Sequence, residues 1–291
     1  MTHATCQPGP VATEHIKRVV CEDGYDLQYR RWSASQSPVA TLVLLNGMMS
    51  HSGWFGELAH LLTGIRLDVI GADRRGSGLN ERGRGDAPSR QMLLSDLRRI
   101  VEAEERGLPI YLLGWCWGAL PAVNFALEAG QRLSGLMLLA PGLFPSKQVT
   151  IIAQQELIAS RHAEAHSPVL RSPLTARMFS DRASVWGFID DDKLAQRTFT
   201  RRFFEVSSEM SLIARARFSQ LKQRVLLILA EHDETIDAEA TLKAAQRLPG
   251  TAVRIATVPC HHGMQFEMAE AIVRHISQWM PTSLEAAVRF A

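Results

Sequence analysis

The stretch Ile110-Tyr111-Leu112-Leu113-Gly114-Trp115-Cys116-Trp117-Gly118-Ala119-Leu120 decides the fold. An apolar run of strand type, Ile110 to Trp115, meets Gly-x-Cys-x-Gly and passes without a loop into a helical pattern, Ala119 to Ala129. That is the layout of a nucleophile elbow, a tight strand-to-helix turn that lifts one reactive side chain above a sheet. Gly114 and Gly118 stand two residues to either side of Cys116, where strand and helix leave little room for a Cβ. Cys116 falls at a helix N-terminus, where the dipole and free N–H groups favour a thiolate. The plainer reading of a lone cysteine is a packed core thiol, so the chemistry has to be assembled from the rest of the chain.

Outward from the elbow, strands and helices alternate. Lys17 to Trp32, hinged on Asp23-Gly24, predicts an opening β-hairpin. Ala40–Leu45 and Leu67–Ala72 are continuous apolar runs of central-strand type. Trp54 to Leu62 has helical spacing, and Ser89 can cap a helix reaching Arg106, stopped by Gly107-Leu108-Pro109. After the elbow helix, Gly135 to Ala140 reads as another strand. From Leu143 to about Gln223 the alternation stops, and the pattern becomes helical and irregular with prolines at 145, 168 and 173. It resumes with Arg224–Ala230 (strand), Asp237–Leu248 (helix), Thr251–Val258 (strand) and Met264–Met280 (helix). The expectation is an α/β fold: a mostly parallel twisted sheet flanked by helices, with a core in two parts, 1–142 and 224–291, and an inserted helical cap over 143–223. Residues 1–12 read as a loose arm, and 282–291 as a mildly amphipathic tail.

Composition narrows the function classes. With 291 residues, 46% hydrophobic, the chain can build a substantial core. A net charge of +2, with no basic run interleaved with aromatics, argues against nucleic acid as a partner. Cys6, Cys21, Cys116 and Cys260 show neither a disulfide framework nor metal-type spacing, which points to a reducing, cytoplasmic setting. The opening MTHATCQPGPVATEH lacks the charged-then-apolar order of a signal peptide, and no run approaches bilayer length.

A cysteine nucleophile needs a base, and the base needs an orienting group. In this architecture the loops at the carboxyl ends of the strands share one face. Two such loops carry suitable groups: Glu231-His232-Asp233-Glu234, and Pro259-Cys260-His261-His262-Gly263. The order nucleophile, acid, histidine fits an elbow on an earlier strand. Asp233 is assigned as the acid and His262 as the base. Asp237 is the alternative acid but opens a helix and reads more simply as its cap, while His261 competes with His262. The oxyanion donors are expected to be the N–H groups of Trp117 and Met48, the latter in the Asn46-Gly47-Met48 turn after an early strand. An ordinary turn is the commoner use of Asn-Gly.

With these residues in view, the chain resembles the α/β-hydrolase superfamily over nearly its whole length, in particular the monoacylglycerol lipase and lysophospholipase-like branch. Asn46 to Phe55 is similar to that branch's oxyanion loop. Asp73-Arg74-Arg75-Gly76-Ser77-Gly78 resembles its structural Asp-x-Arg-Gly-x-Gly turn, and Ala230-Glu231-His232-Asp233 its acid motif. His262, five residues before Glu267, matches the superfamily's usual histidine-to-glutamate spacing and is favoured over His261 on that ground. The resemblance implies a cap over an acyl-binding pocket. Two departures stand out: Asn46 replaces the usual histidine of the loop, and Cys116 replaces the usual serine. No Gly-x-Ser-x-Gly occurs elsewhere in the chain. Cysteine at the elbow also occurs in dienelactone hydrolases and polyhydroxyalkanoate synthases.

A thiol, with a reference pKa of about 8.5, ionises far more readily than an alcohol. The expected enzyme therefore acts on an ester, thioester or lactone through a thioester acyl-enzyme, by hydrolysis or acyl transfer, on a small apolar acyl substrate. No metal and no cofactor are implied. The rival class is a non-catalytic member of the fold that binds a small molecule. Other features carry less: His162 and His166 lack a third ligand, Asp190-Asp191-Asp192 reads as a loop or helix-start cluster, and Cys260 as packing. Trp186, Phe188, Phe199, Phe203 and Phe204 read as the core of the insertion more readily than as a pocket lining.

Overall fold

The apolar runs read as central strands are buried along their whole length. They are β3 (Ala40–Leu45), β4 (Leu67–Ala72), β5 (Ile110–Trp115), β6 (Gly135–Leu139) and β9 (Val225–Ala230). In this computed structural model, which describes residues 13–162, 164, 167–249 and 253–281, they form one eight-stranded sheet with β1 (Glu14–Val20), β2 (Asp26–Trp32) and β10 (Val253–Val258). The order is β1-β2-β4-β3-β5-β6-β9-β10, antiparallel across β1, β2 and β4 and parallel from β4 to β10. Five neighbouring strands buried on both faces require helices on both sides. α1 (Gly56–Gly64) packs beside α9 (Ala269–Trp279), and α2 (Arg90–Ala103) beside α3 (Ala119–Ala129). α7 (Ala238–Ala245) connects β9 to β10. The chain is thus an α/β-hydrolase fold. Among the described residues no helix is long and apolar enough to cross a membrane.

Between β6 and β9 the chain leaves the sheet. It forms α4 (Lys147–Ala159), the two-residue strands β7 (Leu170–Arg171) and β8 (Thr198–Phe199), α5 (Ala183–Asp191) and α6 (Arg201–Arg217). α6 lies along α3, and Phe199, Phe203 and Phe204 pack on one another with ring centroids 4.5–5.9 Å apart. Those three rings are this segment's own core.

Local signals act as read at several ends. Ser89 accepts from the Met92 N–H at 3.1 Å and caps α2, and Asp237 accepts from the Ala240 N–H at 2.9 Å and caps α7. Several elements differ from expectation, among them α7, which ends at Ala245 rather than Leu248. α2 ends at Ala103 rather than Arg106. The last helix is broken at Met268 (φ −136°, ψ 31°) into a single turn, α8 (Met264–Glu267), and α9. The Glu267 carboxylate explains the break, because it is tied to Ser180 and to the His261 N–H and keeps that turn at the site while α9 runs back along the sheet. The arm 1–12 with Cys6, His166 of the histidine pair, Thr251 and Ala252 of the last strand, and the tail 282–291 lie outside the described residues.

Candidate active site

The elbow is built by crowding. A Cβ on Gly114 would lie 2.7 Å from the Ala119 Cα and 2.8 Å from the Gly118 carbonyl oxygen, and one on Gly118 would collide with the Leu45 carbonyl. Only glycine lets β5, the loop after β3 and α3 meet so closely. Cys116 sits between them with φ +55°, a conformation that costs a non-glycine residue of order 1–3 kcal/mol and is held only by its surroundings. Part of that hold is the Gly142 N–H, which donates to the Cys116 carbonyl at 2.7 Å.

Asp233 follows β9, and His262 follows β10, as their strand ends dictate. The His262 Nδ1 lies 2.7 Å from Asp233 Oδ2 and 2.8 Å from the Thr235 hydroxyl. The Thr235 hydroxyl donates to Asp233 Oδ1 at 2.7 Å, and the Thr235 N–H does so at 2.8 Å. With the hydroxyl proton committed to the carboxylate, the oxygen of Thr235 can only accept from the imidazole, so Nδ1 carries a proton. The other nitrogen, Nε2, is buried without a hydrogen-bond partner among the described residues. The ring nevertheless lies near enough to Cys116 for that residue to help raise the imidazole's pKa. Loose contacts of this kind are usual before substrate draws the groups together.

The electrostatics follow from burial. His262 is fully buried, which opposes its charge, but Asp233 and Cys116 outweigh that and raise its pKa to about 10. Burial would push the Asp233 carboxyl up, yet the His262 charge and the hydrogen bonds from His262 and Thr235 hold it below the ordinary carboxylate range. Cys260 is different. Burial, and then Glu267, Asp233 and Glu231, push its thiol up to about 12, so it stays protonated.

His261 points elsewhere: its N–H donates to Glu267 Oε2 at 2.9 Å, and its ring lies 5.7 Å from that of His232. Asp181, His261 and Glu267 bring three ligand-type atoms within 4.8 Å of one another. Both Glu267 oxygens already accept hydrogen bonds there and Asp181 is exposed, so the group reads as a brace beside the site. Asp192 leaves the acidic cluster at the end of α5, not its start, and accepts from the Trp54 indole at 2.6 Å and from His51 Nε2 at 2.9 Å.

Aromatic rings close over the pair. Trp115 and Phe179 lie 5.2 and 5.5 Å from the His262 ring, and Trp54 contacts Trp115, Phe179 and Phe266. The Trp115 indole donates to the His262 carbonyl at 3.0 Å. Trp117 stacks on Phe203 of α6, and its indole donates to Ser207 at 2.8 Å. Met48, Trp117 and Cys116 are all buried, with Cys116 only 7% exposed. Thr235, Phe179 and Asp192 are the participants that sequence reasoning missed. Only Thr235 left a signal, because Asp-x-Thr favours a turn in which the aspartate accepts from the backbone two residues on.

With that geometry in view, a family model described as serine aminopeptidase, S33, matches residues 36–268, most of the chain. The chain belongs to that family. Human monoglyceride lipase is 29% identical to this S33-family chain over 137 residues, 46% of this chain and 45% of the human protein. An uncharacterized abhydrolase domain-containing protein of Dictyostelium discoideum is 21% identical over 281 residues, 94% of this chain but 30% of that protein. The chain therefore spans less than half the length of either relative. A soluble variant of monoglyceride lipase from Saccharomyces cerevisiae, solved with a substrate analog, superposes with a TM-score of 0.81 over 96% of both chains at 13% identity. That likeness is one of fold. The S33 family is named for a serine, and at the elbow this member carries Cys116.

Proposed function

We propose that the chain is an acyl-processing α/β-hydrolase that cleaves an ester, thioester or lactone of an apolar acyl group through Cys116. His262 is the proton carrier, Asp233 holds it, and the N–H groups of Met48 and Trp117 receive the oxyanion. One observation carries this reading: a fully buried imidazole bonded through Nδ1 to Asp233, its free Nε2 beside Cys116. Segment 143–223 serves as the cap, since Phe179, Asp192 and Ser207 all come from it. The names of the relatives, monoglyceride lipases among them, favour lipid-like esters.

The steps follow from the proton positions. His262 Nε2 takes the Cys116 thiol proton as the sulfur attacks the acyl carbon, a C–S bond forms, and the carbonyl electrons move to oxygen under the two N–H groups. As the oxyanion collapses, the leaving group departs with the proton from His262 Nε2, leaving a thioester on Cys116. An acceptor, water in hydrolysis, then gives its proton to Nε2 and attacks the thioester, and the C–S bond breaks as the sulfur recovers that proton from Nε2. Thiolate is a better leaving group than alkoxide, so with a plain alkyl ester the first intermediate tends to revert. Thioesters and lactones are the preferred donors.

Intact-mass measurement after brief exposure to a p-nitrophenyl ester, an acyl thioester and a lactone tests this. The expected result is an adduct of the acyl mass on Cys116, absent in Cys116→Ala. An absent adduct, with iodoacetamide labelling Cys116 no faster than Cys6, would instead make the chain a binding protein.

A further inference from the structure

Arg74 is a half-buried cation without a carboxylate partner among the described residues, although its neighbours in the same turn are fully paired. Asp73 takes Arg30, and Arg75 takes Asp96 and Asp23. An unpaired guanidinium is costly to bury. Its donors go instead to two backbone carbonyls of the loop after β3: Nη2 to the Met48 oxygen at 2.9 Å and Nη1 to the Gly47 oxygen at 3.5 Å. Its Nε has no partner. Asn46, which is buried, holds the same loop. Its side-chain amide donates to the Gly47 oxygen at 3.0 Å and to the Ser50 oxygen at 2.6 Å, and the Ser50 hydroxyl adds a contact to Gly47 at 3.4 Å.

The peptide that these donors grip is the one joining Gly47 to Met48. A trans peptide is planar, and its C=O and N–H point in opposite directions. Fixing the Gly47 carbonyl therefore fixes the direction of the Met48 N–H, which donates to no acceptor among the described residues. Gly47 lies against the nucleophile: a Cβ there would come within 3.2 Å of the Cys116 Cβ. The same guanidinium covers Trp117 at 4.8 Å and Phe203 at 5.1 Å, so it also touches the residue that supplies the second donor. Donation from a cation to the Gly47 oxygen further polarises that amide and strengthens its N–H as a donor.

We infer that Asn46 and Arg74 are positioning residues that aim and polarise the Met48 N–H toward the acyl oxyanion, with Arg74 holding both halves of the hole together. This deepens the Cys116 reading and rests on it. It also accounts for Asn46 in place of histidine, because the amide reaches two carbonyls of the loop at once.

The test separates the oxyanion from the thiol. Acylation by a p-nitrophenyl ester needs the oxyanion donors, while alkylation by iodoacetamide, a displacement at saturated carbon, needs only the thiol and its imidazole. Arg74→Met and Asn46→Leu are each expected to lower kcat for the ester about 10- to 100-fold with KM little changed. The Cys116 alkylation rate should stay within about threefold of wild type, and Arg74→Lys should recover part of the loss, keeping charge without the fork. Thermal melts report folding, and if Arg74→Met fails to fold, Arg74→Lys and Asn46→Leu carry the comparison. Ester kcat within about threefold of wild type in the folded variants would overturn the inference, as would alkylation falling in step with kcat. Failure of the parent reading shows separately, as a wild type with no ester turnover.

Discussion

Gly114→Ala tests the elbow at its tightest point. The added Cβ would sit 2.7 Å from the Ala119 Cα, where ordinary contact begins at 3.4 Å, so about 0.7 Å must come from somewhere. The other two contacts, at 2.8 and 2.9 Å, are also to backbone, which cannot swing away as a side-chain end would. Overpacking of this kind costs about 1–3 kcal/mol, and backbone opposition puts the upper part of that range in play. At roughly 2–4 °C per kcal/mol, the melting temperature should fall by about 4–10 °C. Relief by moving α3 also shifts Cys116, whose φ of +55° survives only under constraint, and a misplacement of this order costs up to about 100-fold in turnover. Gly64→Ala is the control. It lies at the end of α1 with nothing within 4 Å of the new methyl, so it should be neutral or stabilising by up to about 1 kcal/mol with turnover unchanged. Differential scanning fluorimetry and ester turnover on both variants give the answer. A Gly114→Ala protein matching wild type in both would refute the crowding argument and the elbow geometry with it.

Two other expectations follow from burial and charge. The pKa of His262 is raised from about 6.5 unfolded to about 10 folded, so its contribution is full below about 6.5 and lost as the pH rises toward 10. Asp233 is depressed, so its contribution is present above its unfolded pKa and lost as the pH falls through the lowered value. Denaturant midpoints should therefore drop more between pH 6.5 and 9.5 in wild type than in His262→Gln, and parallel curves would contradict this. Asp192→Ala strands the Trp54 and His51 donors and should destabilise by about 2 kcal/mol while speeding alkylation of Cys116 by a bulky maleimide several-fold. Unchanged values of both would show that Asp192 does not fasten the segment.

The parts of the fold written in local order were legible. Apolar runs without alternation gave the buried central strands, because such runs have no solvent face to serve. Gly114 and Gly118 gave the elbow, because chain geometry there is a matter of a few bonded neighbours. The site was legible as far as strand ends dictate it: Asp233 and His262 follow β9 and β10 and meet because parallel strands deliver their loops to one side. Contacts made across the fold were not legible. Trp115 reaches the His262 carbonyl 147 residues away, and His51 meets Asp192 across 141. Arg74 looked like one more member of a structural turn, since nothing in Asp73-Arg74-Arg75 says which arginine will find carboxylates and which carbonyls. The break at Met268 was equally hidden, because helical periodicity runs through it and the cause is a carboxylate tied to Ser180.

The replacement of serine by cysteine fits the surroundings that the structure supplies. Asp233 and Cys116 together raise the His262 pKa against the opposing effect of burial. A thiol parts with its proton more readily than an alcohol, so in the proposed reaction the imidazole has less to do for sulfur than it would for oxygen. Closure by Trp54, Trp115, Phe179 and Phe266 shields the His262–Asp233 pair from water, which strengthens its mutual attraction. Asp233, bound by Thr235 and unable to turn away, secures the imidazolium from the far side. In the proposed reaction the same enclosure would slow the entry of bulk water to the thioester, giving a bound amine, thiol or alcohol time to compete as acceptor.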